Sequence, residues 1–353
     1  MTAQISQKKY RKVLMKLNKY GVSLFVIILL LALNVFGQDK VGTAAAPFLG
    51  ISIGGPGSAM GGAFVSMPMD ASALYWNPGA ISRLGHSQAN FTYTDWFLDT
   101  RYNWLGVILN VGGGNALGVN MAILDYGEDE VTTVQQQDGT GERWSAQDLY
   151  AAVSYARNLT DRFSIGGSVK LIQQQIYHES ATGYALDIGL LYLTRFNGMR
   201  IGMSITNFGT DMQMDGKDLL RTYDPDPGNV GNNNLISSKL RTSAWPLPLF
   251  YRVGASMDVL RFGESSLLLS TDALVPSDNA TVINVGGQVQ WNDVFFLRAG
   301  YKSLMQNDSE QGLTAGVGFK YFIPGLGRVS VDYAYNDFGL LEQIHTLGLG
   351  FSF

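Results

Sequence analysis

Histidine is the side chain best suited to acid–base chemistry near neutral pH, and this chain has three: His86, His178 and His345. A nucleophile–histidine–acid array needs its three groups within hydrogen-bond reach of one another. The strand pattern described below sends His86 to one end of the fold and His178 and His345 to the other. Cysteine is absent, which excludes thiol catalysis, thiolate metal sites and disulfides. Glu128-Asp129-Glu130, and Asp224 with Asp226, offer carboxylates to a cation, but neither group sits in an oxygen-rich turn with six or more ligands. They read as solvated loop charges. No glycine-rich stretch is followed by the Lys-Ser/Thr of a phosphate loop. The expectation is a non-enzymatic protein with no metal and no cofactor.

What remains is apolar chemistry. Met60, Phe64, Met67, Met69, Leu74, Tyr75 and Trp76 bring large side chains into a segment rich in Gly, Ala, Ser and Pro. Methionine adapts to irregular apolar shapes. These residues either line a pocket for a hydrophobic molecule or anchor their own segment to its surroundings.

The elements that must position them are strands. In residues 328–353, Val329, Val331, Tyr333 and Tyr335 alternate with polar or small residues, and Leu347, Leu349, Phe351 and Phe353 alternate with Thr346, Gly348, Gly350 and Ser352. Alternate side chains of a strand face opposite sides. The same two-residue period recurs down the chain and predicts fourteen strands, or twelve or sixteen if one is split or merged: 86–97, 102–111, 115–126, 148–157, 163–177, 183–194, 199–208, 247–260, 265–275, 280–291, 294–303, 312–322, 327–336 and 343–353. Their lengths suit tilted membrane strands. Connections after even strands are short, whereas 127–147, 209–246 and 304–311 are long. Outer-membrane barrels have short periplasmic turns and long external loops, so both termini are expected on the periplasmic side. Aromatic residues near strand ends, among them Trp96, Phe97, Tyr102, Trp104, Trp291 and Tyr321, are expected in interfacial girdles. The aromatic carboxy-terminal Phe353 is expected to act as the barrel-assembly signal.

Residues 1–37 read as a secretory signal peptide. Lys8, Lys9, Arg11, Lys12, Lys16 and Lys19 precede an apolar run from Val22 to Leu33, with cleavage expected near Gly37. Those six are among 25 basic residues, against 29 acidic ones, so the remainder carries a net charge of about −10. That excludes a nucleic-acid partner. The expected organisation is a signal peptide (1–37), a compact hatch or plug (38–85) and an all-β, 14-stranded antiparallel outer-membrane barrel (86–353).

The run Gly61-Gly62-Ala63-Phe64-Val65-Ser66-Met67-Pro68-Met69-Asp70-Ala71-Ser72-Ala73-Leu74-Tyr75-Trp76-Asn77-Pro78-Gly79 resembles the N-terminal signature of the PorV/PorQ family of Bacteroidota. Barrels of that family are related to FadL-type long-chain fatty acid transporters. The matching positions are Gly61, Gly62, Asp70, Ser72, Asn77, Pro78 and Gly79; Met67-Pro68-Met69 departs from the family pattern. The resemblance implies a hatch in or below the lumen and a role in type IX protein secretion or surface attachment. The partners it implies are outer-membrane lipid and the type IX translocon or secreted cargo. Its FadL-like branch implies the alternative, a channel for a hydrophobic ligand such as a long-chain fatty acid.

Overall fold

The computed structural model describes residues 41–229, 235–304, 306, 309–325 and 327–353. The signal peptide expected at 1–37, and residues 38–40 of the expected hatch, lie outside the described residues. Fourteen long strands form the wall: β1 (Gln88–Asp95), β2 (Arg101–Gly112), β3 (Asn115–Glu130), β4 (Arg143–Asn158), β5 (Phe163–Ile176), β6 (Glu179–Leu193), β7 (Arg200–Gly209), β8 (Phe250–Phe262), β9 (Ser265–Pro276), β10 (Val282–Trp291), β11 (Phe295–Leu304), β12 (Leu313–Ile323), β13 (Gly327–Asp337) and β14 (Gln343–Ser352). Each pairs antiparallel with the next. β14 closes on β1, from Gln88 opposite Ser352 to Asp95 opposite His345. Closure leaves no open edge, the condition for a sheet to sit in hydrocarbon.

Side-chain parity explains which way the wall faces. Val153, Tyr155, Val169, Leu171, Leu297, Val317, Leu347 and Leu349 point outward and are each at least 40% exposed. A water-soluble surface does not carry so broad an apolar belt, whereas a lipid-facing one requires it. The inward positions between them are small or polar, such as Ser154, Ser168, Ser270 and Gln288. Parity also corrects part of the expected girdle. Trp291, Phe295 and Tyr321 are outward and exposed, but Tyr102 and Trp104 sit at inward positions of β2 and are fully buried. Their neighbours Ile108 (inward) and Leu105 (outward) set that phase.

The long connection between β7 and β8 is not unstructured. Leu220–Tyr223 pairs with Ile236–Lys239, and Met212–Gln213 with Ala244–Trp245, so it forms a β-ribbon beyond the barrel.

Residues 41–87 contribute no strand. They fill the lumen with short helices and turns (Pro47–Gly50, Gly55–Ala59, Ala73–Trp76 and Pro78–Arg83). Ala45 N donates to Pro246 O (2.8 Å) and Ala46 N to Gln174 Oε1 (3.0 Å), both at the long-loop end. At the short-turn end, Ser82 Oγ donates to Asn158 Oδ1 (2.8 Å). The hatch therefore threads the lumen from one end to the other. The chain's end lies with the short turns, while the first described residues lie at the opposite end.

Phe353 N donates to Ser87 O (3.0 Å), and its ring is exposed and stacks on Phe351. The ring packs nothing inside the barrel, so its deletion tests recognition during assembly rather than stability. We expect a chain lacking Phe353 to give much less heat-modifiable barrel in the outer membrane. Unchanged barrel levels on unheated gels would sink that idea.

Candidate functional site

The hatch is seated by backbone approach, which only wall glycines allow. At Gly189 an added Cβ would lie 2.1 Å from Asn77 Oδ1, at Gly166 2.5 Å from Pro78 O, and at Gly202 2.3 Å from Val65 O. Gly286 and Gly300 meet the backbone of Met60 in the same way, at 2.5 and 2.4 Å. The alternation of glycine with large apolar residues thus serves two media: lipid outside, hatch backbone inside.

The residues of the Gly61–Gly79 run carry this docking. Asn77 is a hub: Nδ2 donates to Val65 O (2.8 Å) and Leu190 O (2.9 Å), and Oδ1 accepts from Gly79 N (3.0 Å). Asp70 Oδ1 accepts from Ser72 N (2.8 Å) and Ser72 Oγ (2.5 Å), closing a local turn. Gly61 and Gly62 adopt positive φ (66° and 79°), and Gly61 abuts the backbone of Tyr301. The wall answers with Asp272. Its Oδ2 accepts from Phe64 N (2.7 Å) and Val65 N (2.8 Å), and both partners are buried.

Above this clasp, at the long-loop end, lies a cavity of about 490 Å³. Its floor is Tyr75, Trp76, Arg252, Asp272, Asn284 and Lys302; its upper wall is Trp96, Phe97, Phe250, Leu274, Val282 and Phe338. Trp96, Phe97 and Phe338 pack on one another with ring centroids 4.7 to 5.8 Å apart. Trp96 and Phe97 therefore line the cavity mouth rather than a lipid girdle.

The floor carries two cations that lack a carboxylate in ion-pair range among the described residues. Arg252 is buried. It donates to Thr206 Oγ1 (3.1 Å) and Tyr75 Oη (3.3 Å) and lies over the rings of Tyr75, Trp76 and Phe250. Lys302 Nζ donates to Ser52 Oγ (3.4 Å). Burial raises the Tyr75 phenol above its ordinary range although Arg252 opposes the shift, so it stays neutral. It donates to Leu49 O (3.2 Å) while accepting from Arg252. Two other buried cations are paired: Lys170 with Asp187 (3.0 Å) and Arg298 with Asp332 (2.6 Å). A buried cation held only by neutral dipoles and ring faces is ready for an anionic partner.

Of the apolar residues singled out in the sequence, Tyr75 and Trp76 line this cavity. Met60, Phe64, Met67 and Leu74 are buried elsewhere in the hatch: Met60 faces Gly286 and Gly300, Leu74 packs on Gly118, and the Phe64 ring lies 6.0 Å from Trp76. Met69 lines a different, smaller cleft. Sequence reasoning missed Arg252, Asp272, Asn284 and Lys302. The available signal was charged or amide residues in the middle of otherwise apolar strands. It also missed Gly50-Ile51-Ser52-Ile53-Gly54, which spells the spacing of a hydrolase elbow. An elbow needs a strand before the serine, but Ser52 follows the turn Pro47–Gly50. The histidines lie apart: His86 contacts Gln88, His178 pairs with Asp218, and His345 meets Tyr333.

No family model matches the sequence, and no curated protein is similar to it in sequence. Solved structures share the fold. CymD, a monoaromatic hydrocarbon channel, aligns over 85% of this chain and 97% of its own at 14% identity, with a TM-score of 0.58. A FadL homologue from Pseudomonas aeruginosa aligns over 85% and 98% at 12% identity and 0.52. The toluene transporter TbuX from Ralstonia pickettii aligns over 85% and 98% at 12% identity and 0.53. The chain has the 14-stranded outer-membrane barrel fold of these FadL-like channels.

Proposed function

We propose that this protein is an outer-membrane conduit for hydrophobic small molecules, taken in from the long-loop side. In that orientation the short turns and the C-terminus face the periplasm, after removal of the signal peptide near Gly37. The observation that carries the reading is the cavity above the hatch. Its aromatic walls suit an apolar body, and its size is in the range of small-molecule sites. Its fold neighbours include channels and transporters named for monoaromatic hydrocarbons and toluene. Lys302 and Arg252 on the floor add a preference: a ligand with an anionic head binds better than the neutral hydrocarbon of the same body.

The purified barrel should bind decanoate more tightly than decane. Lys302→Met should weaken decanoate by about tenfold, the scale of one lost charge-assisted hydrogen bond, and leave decane unchanged. Intrinsic tryptophan fluorescence, with Trp76 and Trp96 in the lining, reads both. A barrel that binds neither molecule would end this reading.

The PorV/PorQ reading, with a translocon or cargo partner, rests on the resemblance at residues 61–79. Those residues are largely buried against the wall, so a protein partner would meet the β-ribbon of the β7–β8 connection instead. Gentle extraction from native membranes followed by mass spectrometry separates the two. A stable protein partner favours secretion; a lone barrel carrying lipid or another apolar molecule favours the conduit.

A further inference from the structure

A second cleft, of about 330 Å³, opens at the short-turn end of the lumen. Met69 of the hatch, Arg200, Asp258, Arg261, Gln288 and Gln290 line it, and Glu264 stands on the exposed turn at its rim. Two guanidinium groups share one carboxylate there: Arg261 pairs with Asp258, and Arg200 Nη2 lies 3.7 Å from it. Arg200 Nε is buried with no hydrogen-bond partner. A β-bulge between Asp258 and Leu260 shifts parity, so that Asp258 and Arg261 both face the lumen. Without the extra residue Arg261 would point toward lipid.

The cleft and the upper cavity lie on the same stretch of wall. Across β8, β9 and β10 the inward rows run Gly254–Asp272–Asn284, then Ser256–Ser270–Gly286, then Asp258–Leu268–Gln288. The first row belongs to the cavity floor and the third to the cleft. From Asp272 to Leu268 is four residues, roughly 13 Å of strand. Between them lies one row of small side chains, and against it packs the hatch backbone: Met60 on Gly286, and Ser66 O accepting from Ser256 Oγ (3.4 Å).

We infer that this cleft is the release site of the conduit, and that Arg200 receives the carboxylate of an amphipathic organic acid after it passes the hatch along the β8–β10 wall. The inference rests on the conduit reading above. Asp258 already offsets part of the guanidinium charge, which keeps the site weak; conduction requires binding that guides a solute yet lets it leave.

The test compares equilibrium binding with flux in liposomes carrying the purified barrel, using decanoate and toluene as probes. Arg200→Gln should leave decanoate binding at the upper cavity within twofold of wild type and lower decanoate flux about tenfold. Toluene flux should not change, and Arg200→Lys should retain most of the acid flux. Because the chain has no cysteine, Gln290→Cys supplies a unique handle if Arg200→Gln assembles poorly. An anionic thiosulfonate at that position should suppress acid flux, and a cationic one of similar size should not. Unchanged acid flux in Arg200→Gln, or equal loss of acid and toluene flux, would overturn the release site and leave the conduit standing. Equal block by both reagents would do the same. Wild-type barrel that neither binds nor passes decanoate would overturn the conduit reading, and the release site with it.

Discussion

Replacing Asp272 by alanine is expected to unlatch the hatch. The carboxylate accepts two backbone N–H groups, from Phe64 and Val65, at 2.7 and 2.8 Å in a buried setting. Removing it orphans both donors, at about 1–3 kcal/mol each. Two such losses outweigh the modest net gain of any one remaining hatch contact. The barrel wall is untouched, because ladder bonds and the apolar exterior do not involve this side chain. Asp272→Ala should therefore still assemble but show frequent open events in planar bilayers, where the wild type is quiet. Amides of residues 60–70 should exchange faster. Asp272→Asn keeps a neutral oxygen acceptor and should fall between the two. A quiet alanine variant with wild-type exchange across 60–70 would show that the clasp does not hold the hatch.

Gly189→Val should have the other large effect, on stability. A Cβ there would sit 2.1 Å from Asn77 Oδ1 and 2.7 Å from Gly79 N. Neither atom is the free end of a flexible chain: Asn77 is held by Val65 O and Leu190 O, and Gly79 by Asn77 itself. The hatch turn must leave its place. Overpacking costs about 1–3 kcal/mol, and losing the Asn77 hydrogen bonds adds about 1 kcal/mol for each. The melting temperature should fall sharply. Gly312→Ala is the control, since its Cβ would meet nothing nearer than 3.8 Å. Equal melting temperatures for the two variants would refute backbone docking as the reason for glycine on the inner wall.

The barrel was legible because its signal is local and repeated. Each strand carries its own two-residue period, and each predicted strand lies within a few residues of an observed one. The missed parts are those where period alone is mute. Tyr102 and Trp104 look like girdle residues because aromatics near strand ends usually are; only the phase of β2 relative to its partners turns them inward. Arg261 reads as turn-flanking charge until the bulge at Asp258/Leu260 brings it to the lumen side.

The sequence by itself determined an antiparallel outer-membrane barrel preceded by a segment unlike its strands, since alternation in every strand against lipid leaves few other solutions; the count of fourteen was fixed by the pairing that closes β14 on β1. It also marked that segment as one needing tight turns, through Gly61, Gly62 and Asn77-Pro78-Gly79. The tertiary structure alone decided what the lumen can bind. Arg252, Asp272 and Lys302 come from three different strands and meet Tyr75 and Trp76 of the hatch, up to 227 positions apart in the numbering. Whether such groups pair with carboxylates, cap backbone amides or stay free depends on register across the barrel and on where the hatch comes to rest. No pattern of residue types along one strand carries that information, because the electrostatics of a lumen are set by neighbours that only closure brings together.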